Sequence, residues 1–320
     1  VPSVDSWKFR TLDEIYHRII VAKRQIMARI MIATLILMST QSVTTAEDDT
    51  LPAGWQRITR DGHFKQRPTW SPDGKHLVFT RLVNETIQVF RCEPDGSAEQ
   101  RLFESPYPRM DAVYSPDGKQ LAFVWDKISP GQGDMELYLA DSNSENPQPL
   151  FVTEGKLSHE EWPSWSPDGK WIVCTSTRDE NSELYLLKAD GTERQRLTSD
   201  PALDVHPAFS PAGGQIAFAT NRWGDFEIAV YDVQTSLITR LTENAGLDDY
   251  PAWSPDGRML AWTSNLDGNR EIRVMLTDGS QQRNLTQHEG ADQFPAWTPA
   301  GEVTFVSFRD GEWDIYRIRP

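Results

Sequence analysis

Cysteine is nearly absent: Cys92 and Cys174 are the only two in 320 residues, too few for a disulfide framework. They fall at different positions of the repeat described below, so both read as buried or half-buried thiols. Histidine is also scarce, and His17, His63, His76, His159, His206 and His288 form no H-E-x-x-H pair and no repeated metal-ligand spacing. The chain contains no phosphate-binding glycine loop and no G-x-S-x-G nucleophile elbow. Positive charge is in deficit, with 32 Lys and Arg against 47 Asp and Glu, a net charge of -15 and a pI near 4.9. Such a surface repels nucleic-acid phosphates and argues against tight binding to anionic membranes. What is abundant is turn-forming and aromatic: 21 prolines, 20 glycines and 12 tryptophans favour many strands joined by sharp turns over long helices.

The first 50 residues differ from the rest. Lys23, Arg24 and Arg29 precede an apolar run from Ile30 to Met38, and a polar, small-residue stretch then ends at Ala46. That order of charge, apolar core and small residues is the pattern of a secretory signal, and the run is too short to span a bilayer comfortably. A signal starts near its basic residues, which places the expected translation start at Met27 and cleavage near Ala46. The competing reading is a buried or amphipathic helix packed on the domain. Residues 1–53 are therefore expected to be an N-terminal extension carrying a signal peptide, and the protein periplasmic or otherwise exported. Residues 1–46 hold six basic and three acidic side chains, so the remainder has 26 against 44, a net charge of -18.

From residue 54 onward the chain repeats. "WSPDGK" at 70, "YSPDGK" at 114, "WSPDGK" at 165, "FSPAGG" at 209, "WSPDGR" at 253 and "WTPAGE" at 297 are spaced by 44, 51, 44, 44 and 44 residues. Each copy divides into the same four segments. A short strand ends at the aromatic, and Ser-Pro-Asp-Gly turns the chain. An apolar strand such as "QIAFA" and an alternating strand such as "EIAVY" follow. A polar outer strand such as "ITRLT" ends the unit. Periods of this length built from short strands indicate a propeller. The sixth copy ends at "DIYRIRP" without an outer strand, and "WQRIT" at 55–59 supplies one from the other end of the chain. The expected fold class is all-β, a six-bladed β-propeller over residues 54–320, closed by an N-terminal strand completing the C-terminal blade.

Repeats reading x-P-A-W-S-P-D-G-K-x-L-A-F with an I-Y-x-x-D-G third strand and a closing R-L-T resemble the WD40-like (PD40) repeats of the TolB propeller family. The resemblance covers roughly residues 54–320 and is far more specific for architecture than for function. Similar propellers serve as protein-binding platforms, as gating domains of prolyl oligopeptidase-like enzymes and as the fold of oligogalacturonate lyases. In TolB proteins an α/β domain precedes the propeller, and residues 47–53 leave no room for one between Ala46 and Gly54.

Function is expected on the face that carries the loops between second and third strands and the links between blades, because those loops converge on the channel mouth. Five positions before each inner-strand aromatic stand Lys65, Arg109, Glu160, Asp204, Asp248 and Asp292. Four carboxylates at one rim would make a negative funnel for a cation, calcium included, or for a basic partner segment; the alternative is that each caps its own loop. Arg178, Arg222 and Arg309 recur at one repeat position and either pair with those carboxylates or reach a partner. Trp223 and Trp313 lie in glycine-containing loops and are candidate contacts, and "VWDKISPGQGDMELY" inserts a long loop suited to partner specificity. His63, His159 and His206 precede inner strands and could converge. The expectation is a monomeric, non-catalytic module without a cofactor, binding an envelope protein or an extended peptide segment. The rival is a carbohydrate-active or glycan-binding propeller, oligogalacturonate lyase-like, with a metal and histidine site at the channel mouth.

Overall fold

A computed structural model describes residues 51–52, 54–84, 86–127, 135–150 and 158–320. The expected signal segment and the long blade 2 loop lie outside the described residues. The described chain is all strand and turn: six four-stranded antiparallel sheets form a propeller ring, and no helix is long and apolar enough to cross a membrane. The inner strands are Lys65–Trp70, Arg109–Tyr114, Glu160–Trp165, Asp204–Phe209, Asp248–Trp253 and Asp292–Trp297, and each contacts the next around the axis, the last meeting the first.

No blade has a core of its own. Successive strand residues point to opposite faces of a sheet. In the second strand of blade 2, Leu121 and Phe123 therefore join the apolar cluster shared with blade 1, while Ala122 and Val124 join the one shared with blade 3. Both faces are covered, which is why these strands read as continuous apolar runs. Cys174 sits in the blade 2–3 cluster, and Cys92, at the end of a third strand, in the cluster between blades 6 and 1. Burial pushes the Cys92 thiol up to about 12 and that of Cys174 well above its ordinary range, so both are inert apolar filler.

The turn motif organises itself locally. In Ser71-Pro-Asp-Gly, the Ser71 hydroxyl donates to Asp73 at 2.7 Å, the Lys75 amide donates to the same carboxylate at 3.1 Å, and His76 N–H returns to Ser71 Oγ at 2.9 Å. These donors hold the Asp73 carboxyl down at about 2. The turns also touch around the ring, since a Cβ added to Gly118 would lie 3.7 Å from Pro72 and one added to Gly74 would lie 3.6 Å from Pro299.

Gln56–Arg57 pairs with Glu312–Ile318 as the outer strand of blade 6, in the register Gln56 to Arg317 and Arg57 to Tyr316. Its side chains repeat a clamp found within other blades. In blade 4, Arg240 and Thr242 of R-L-T donate to Glu227 at 2.7 and 2.5 Å, and Ile228 N–H donates to Thr242 at 2.9 Å. At the seam, Arg57 and Thr59 donate to Asp314 at 2.6 and 2.7 Å, and Ile315 N–H donates to Thr59 at 3.0 Å. The two ends of the propeller are thus locked by the same buried carboxylate, threonine and arginine that finish an internal blade.

Thr59→Val should cost about 1–3 kcal/mol in urea unfolding by leaving Asp314 and an amide short of a partner. Thr242→Val is the internal comparison, and an unchanged midpoint for Thr59→Val would show that the seam strand is not integral. A second substitution probes the same seam. Gly96 has φ 85° and a Cβ there would lie 1.9 Å from the Ile58 carbonyl oxygen, whereas Gly301, at φ 82°, has open space. Gly301→Ala should lose only the left-handed preference, about 1 kcal/mol. Gly96→Ala should lower Tm clearly further, because the backbone at Ile58 must move.

Candidate functional site

Each inner strand carries a β-bulge between its second and fifth residues, as between Gln66 and Thr69 or Val205 and Ala208. The bulged residues Arg67, Asp111, Trp162, His206, Tyr250 and Phe294 all have left-handed backbone, with φ between 49° and 58°. None is glycine, so each position is strained, and the strain is held from the neighbouring blade: the amides of Asp111, His206 and Phe294 donate to Thr80, Thr175 and Thr263 at 3.1 Å.

These residues form a layer across the axis. The Trp162 ring lies 4.4 Å from His206 and 5.0 Å from Tyr250, and Tyr250 lies 4.6 Å from Phe294. Arg67 stacks 4.6 Å above Trp162, donates to the Asp111 carbonyl at 3.2 Å and faces its carboxylate at 3.9 Å. Burial pushes Asp111 up to about 6 against the pull of Arg67, and it lowers Arg67 to about 10 against the pull of Asp111. His206 Nδ1 is 2.5 Å from Asp249. From this layer a cavity of about 380 Å³ runs toward the Ser-Pro-Asp-Gly turns, its walls built from the Pro-Ala-aromatic segments that follow each bulge. Arg67 is the sole Lys, Arg, Asp or Glu lining it. The concave apolar space therefore opens toward the turn face, opposite the loop face on which function was expected.

The expected rim carboxylates do not form an open funnel. Asp204, Asp248 and Asp292 are fully buried and Glu160 is 7% exposed, each held by residues of its own blade or of the link leading into it. Arg222 donates to both oxygens of Asp204 at 2.8 Å, and Arg309 donates to Asp292 at 3.3 Å. Asn244 holds Asp248 at 2.7 Å, and Ser158 and Ser176 hold Glu160 at 2.8 and 2.9 Å. Burial pushes Asp292 up to about 6, opposed by Arg309. Each of the four is thus engaged by neighbouring side chains, while one oxygen each of Asp248 and Asp292 is sealed without a hydrogen-bond partner among the described residues. Arg178 is half-buried, its N–H donating to Ser176 at 3.3 Å. Trp223, 39% exposed, stands on the loop face with the Arg240 guanidinium 5.1 Å from its ring, whereas Trp313 is half-buried between Phe64 and Phe308.

Nor do the histidines converge: His63 faces Asp61 at 3.6 Å, His159 faces Glu161 at 3.3 Å, and His206 faces Asp249. Among the described residues no group of three or more His, Cys, Asp or Glu side chains could hold a metal ion. Of the sequence candidates only His206 belongs to the axial layer. Arg67, Asp111, Trp162, Tyr250 and Phe294 were not singled out; the available signal was a position of varied chemistry, three residues before every aromatic, between otherwise repetitive neighbours.

An uncharacterized protein of Agrobacterium fabrum is 30% identical over 136 residues, 42% of this chain and 43% of its own length. The Tol-Pal system protein TolB of Methylococcus capsulatus is 27% identical over 181 residues, 53% of this chain and 41% of its own length. The chain thus spans less than half the length of these relatives. Among solved structures, one assigned as TolB from Agrobacterium tumefaciens superposes with a TM-score of 0.63 at 23% identity, covering 83% of this chain and 97% of that one. An oligogalacturonate lyase in complex with manganese gives 0.61 at 15% identity, covering 87% and 96%. At such identities both share the fold alone. A family profile, the TolB beta propeller domain, matches residues 81–245 and 224–319. The chain belongs to the TolB β-propeller domain family.

Proposed function

We propose that the protein is an exported, non-catalytic binding module of the cell envelope whose axial cavity takes an extended peptide segment of a partner protein. The observation that carries this reading is the cavity itself: about 380 Å³, floored by aromatic rings in mutual contact, walled by proline and aromatic side chains, and without a carboxylate in its lining. Proline- and aromatic-lined grooves suit an extended chain, which enters with little ordering cost and buries alternate side chains. The relatives named as Tol-Pal system proteins support an envelope role. The basic and small-residue pattern of the first 46 residues supports export.

The rival, a lyase acting on an anionic sugar with a metal, draws on a neighbour that shares the fold and holds manganese. The donor set does not favour it, since each described histidine near the axis is engaged with its own carboxylate.

Ala208 and Ala252 stand half-buried on the cavity wall. Ala208→Glu or Ala252→Glu should weaken partner capture from envelope extract by about tenfold or more, the cost of desolvating one carboxylate against an apolar surface. Trp223→Ala, on the opposite face, should leave capture unchanged. Loss with Trp223→Ala and retention with Ala208→Glu would move the binding site to the loop face. Release of unsaturated products from oligogalacturonate by the manganese-supplied protein would overturn the non-catalytic reading.

A further inference from the structure

The junction between blades 1 and 2 breaks the charge pattern of the others. At the start of the third strand, blades 2 to 5 carry Glu136, Glu183, Glu227 and Glu271, and blade 6 carries the seam residue Asp314; blade 1 carries Gln88. At the start of the inner strand, blades 3 to 6 carry Glu160 and the three buried aspartates, while blade 2 carries Arg109. Lys65 is the other exception, and it is neutralised by Asp61 and by Asp314 at 3.1 Å. Arg109 has no such neighbour.

Among the described residues two cations are left without an acid. In blades 3 and 4 the outer-strand arginines Arg196 and Arg240 are held by Glu183 and Glu227 at 2.9 and 2.7 Å. Their equivalent, Arg101, has Gln88 at the repeat position of that glutamate, and it donates to the Ser105 carbonyl at 2.5 Å, the same carbonyl that Gln88 reaches at 3.4 Å. Arg109 is 7% exposed, and its guanidinium lies 4.1 Å from the Trp125 ring, 4.8 Å from Phe103 and 5.7 Å from Phe123. Among the described residues no carboxylate forms an ion pair with either arginine, and burial followed by the charge of Arg101 lowers the Arg109 pKa. Aromatic faces offset part of the cost of a buried guanidinium, but they supply no hydrogen-bond acceptor.

The junction also holds unanswered polar atoms. Arg109 Nε and Trp125 Nε1, both donors, and the Gln88 side-chain oxygen are sealed from solvent without a partner. The two terminal nitrogens of Arg109 make no hydrogen bond among the described residues and are not among the sealed atoms, although the residue as a whole is only 7% exposed. In the link between Arg101 and Arg109, Tyr107 is 42% exposed. A cationic fork over aromatic rings, with a second arginine close enough to lower its pKa, is the donor chemistry that takes a planar carboxylate bidentately.

We propose that Arg101 and Arg109 form a carboxylate-binding site at the blade 1–2 junction, taking an acidic side chain of a partner protein. In the other blades the chain supplies that carboxylate itself. Neither arginine, nor Gln88, Tyr107 or Trp125, lines the axial cavity, so this site stands or falls independently of the peptide-binding channel.

The test is a titration of the full ¹⁵N-labelled chain with acetyl-Asp-Glu-Asp-amide, following the Trp125 indole N–H, which is assigned by Trp125→Phe. A saturable shift is expected with this peptide and none with acetyl-Asn-Gln-Asn-amide. Gln88→Glu restores the carboxylate that neighbouring blades carry; it should raise Tm and weaken the acidic peptide about tenfold or more, as one charge-assisted pair is pre-empted. Arg101→Gln should weaken it similarly while the chain stays folded by the same spectrum. No saturable shift, an equal shift with the amide peptide, or unchanged affinity in Gln88→Glu would overturn the site.

Discussion

The whole ring depends on one constraint: a four-stranded blade here is apolar on both faces and cannot bury either face alone. Phe123 points into one neighbour and Val124 into the other, so every blade is half of two cores. A linear stack of such sheets would end in two bare apolar faces, open to aggregation. Closing the stack removes both ends at once. That is why the seam uses the buried Asp314, Thr59 and Arg57 set that finishes an internal blade, and why Ile58 packs in a cluster with Phe79 and Ile315.

Closure then dictates the centre. Six inner strands brought to one axis leave a bore that backbone alone does not fill, and at one level of it the bulge swings one side chain per blade inward. The left-handed conformation at Arg67, Asp111, Trp162, His206, Tyr250 and Phe294 is the cost of that turn, and threonine hydroxyls on adjacent blades help to hold it. Because the six side chains differ, the layer is not symmetric: an arginine and a carboxylate occupy one side, and four rings in mutual contact the other.

The architecture was legible because its determinants act locally. Ser-Pro-Asp-Gly builds its own hydrogen bonds within six residues, and R-L-T announces a clamp on the carboxylate of the strand beside it. The site was not legible for a reason equally local. Five of the six bulged residues precede a proline, a context that favours extended backbone, so nothing in the sequence marks them as left-handed. By repeat position Asp204 or Asp292 counts as facing the channel mouth; in the structure both are buried against Arg222 and Arg309 of their own blades. The repeated arginines were therefore visible as partners of the carboxylates, but their burial was not.

Charge is distributed so that reach and selection are separate. The expected mature chain carries -18, which acts over roughly a Debye length, about 8–10 Å, and draws in basic surfaces of any kind. Inside the cavity that field has no carboxylate of its own to work through, and Arg67 is countered by Asp111, so a segment entering as proposed would be discriminated by shape and apolar contact. The acids expected at the rim are buried within the blades, where they are held by neighbouring side chains. At the blade 1–2 junction the same bookkeeping runs in reverse, since losing two carboxylates leaves cations in an otherwise acidic protein. Under the two proposals, a partner that is basic overall but offers one acidic side chain at the correct spacing would satisfy both fields, whereas a uniformly acidic or uniformly basic one would satisfy a single field. Specificity in such a scaffold would then arise from departures from the repeat, while the repeat itself supplies the rigidity that keeps those departures in register.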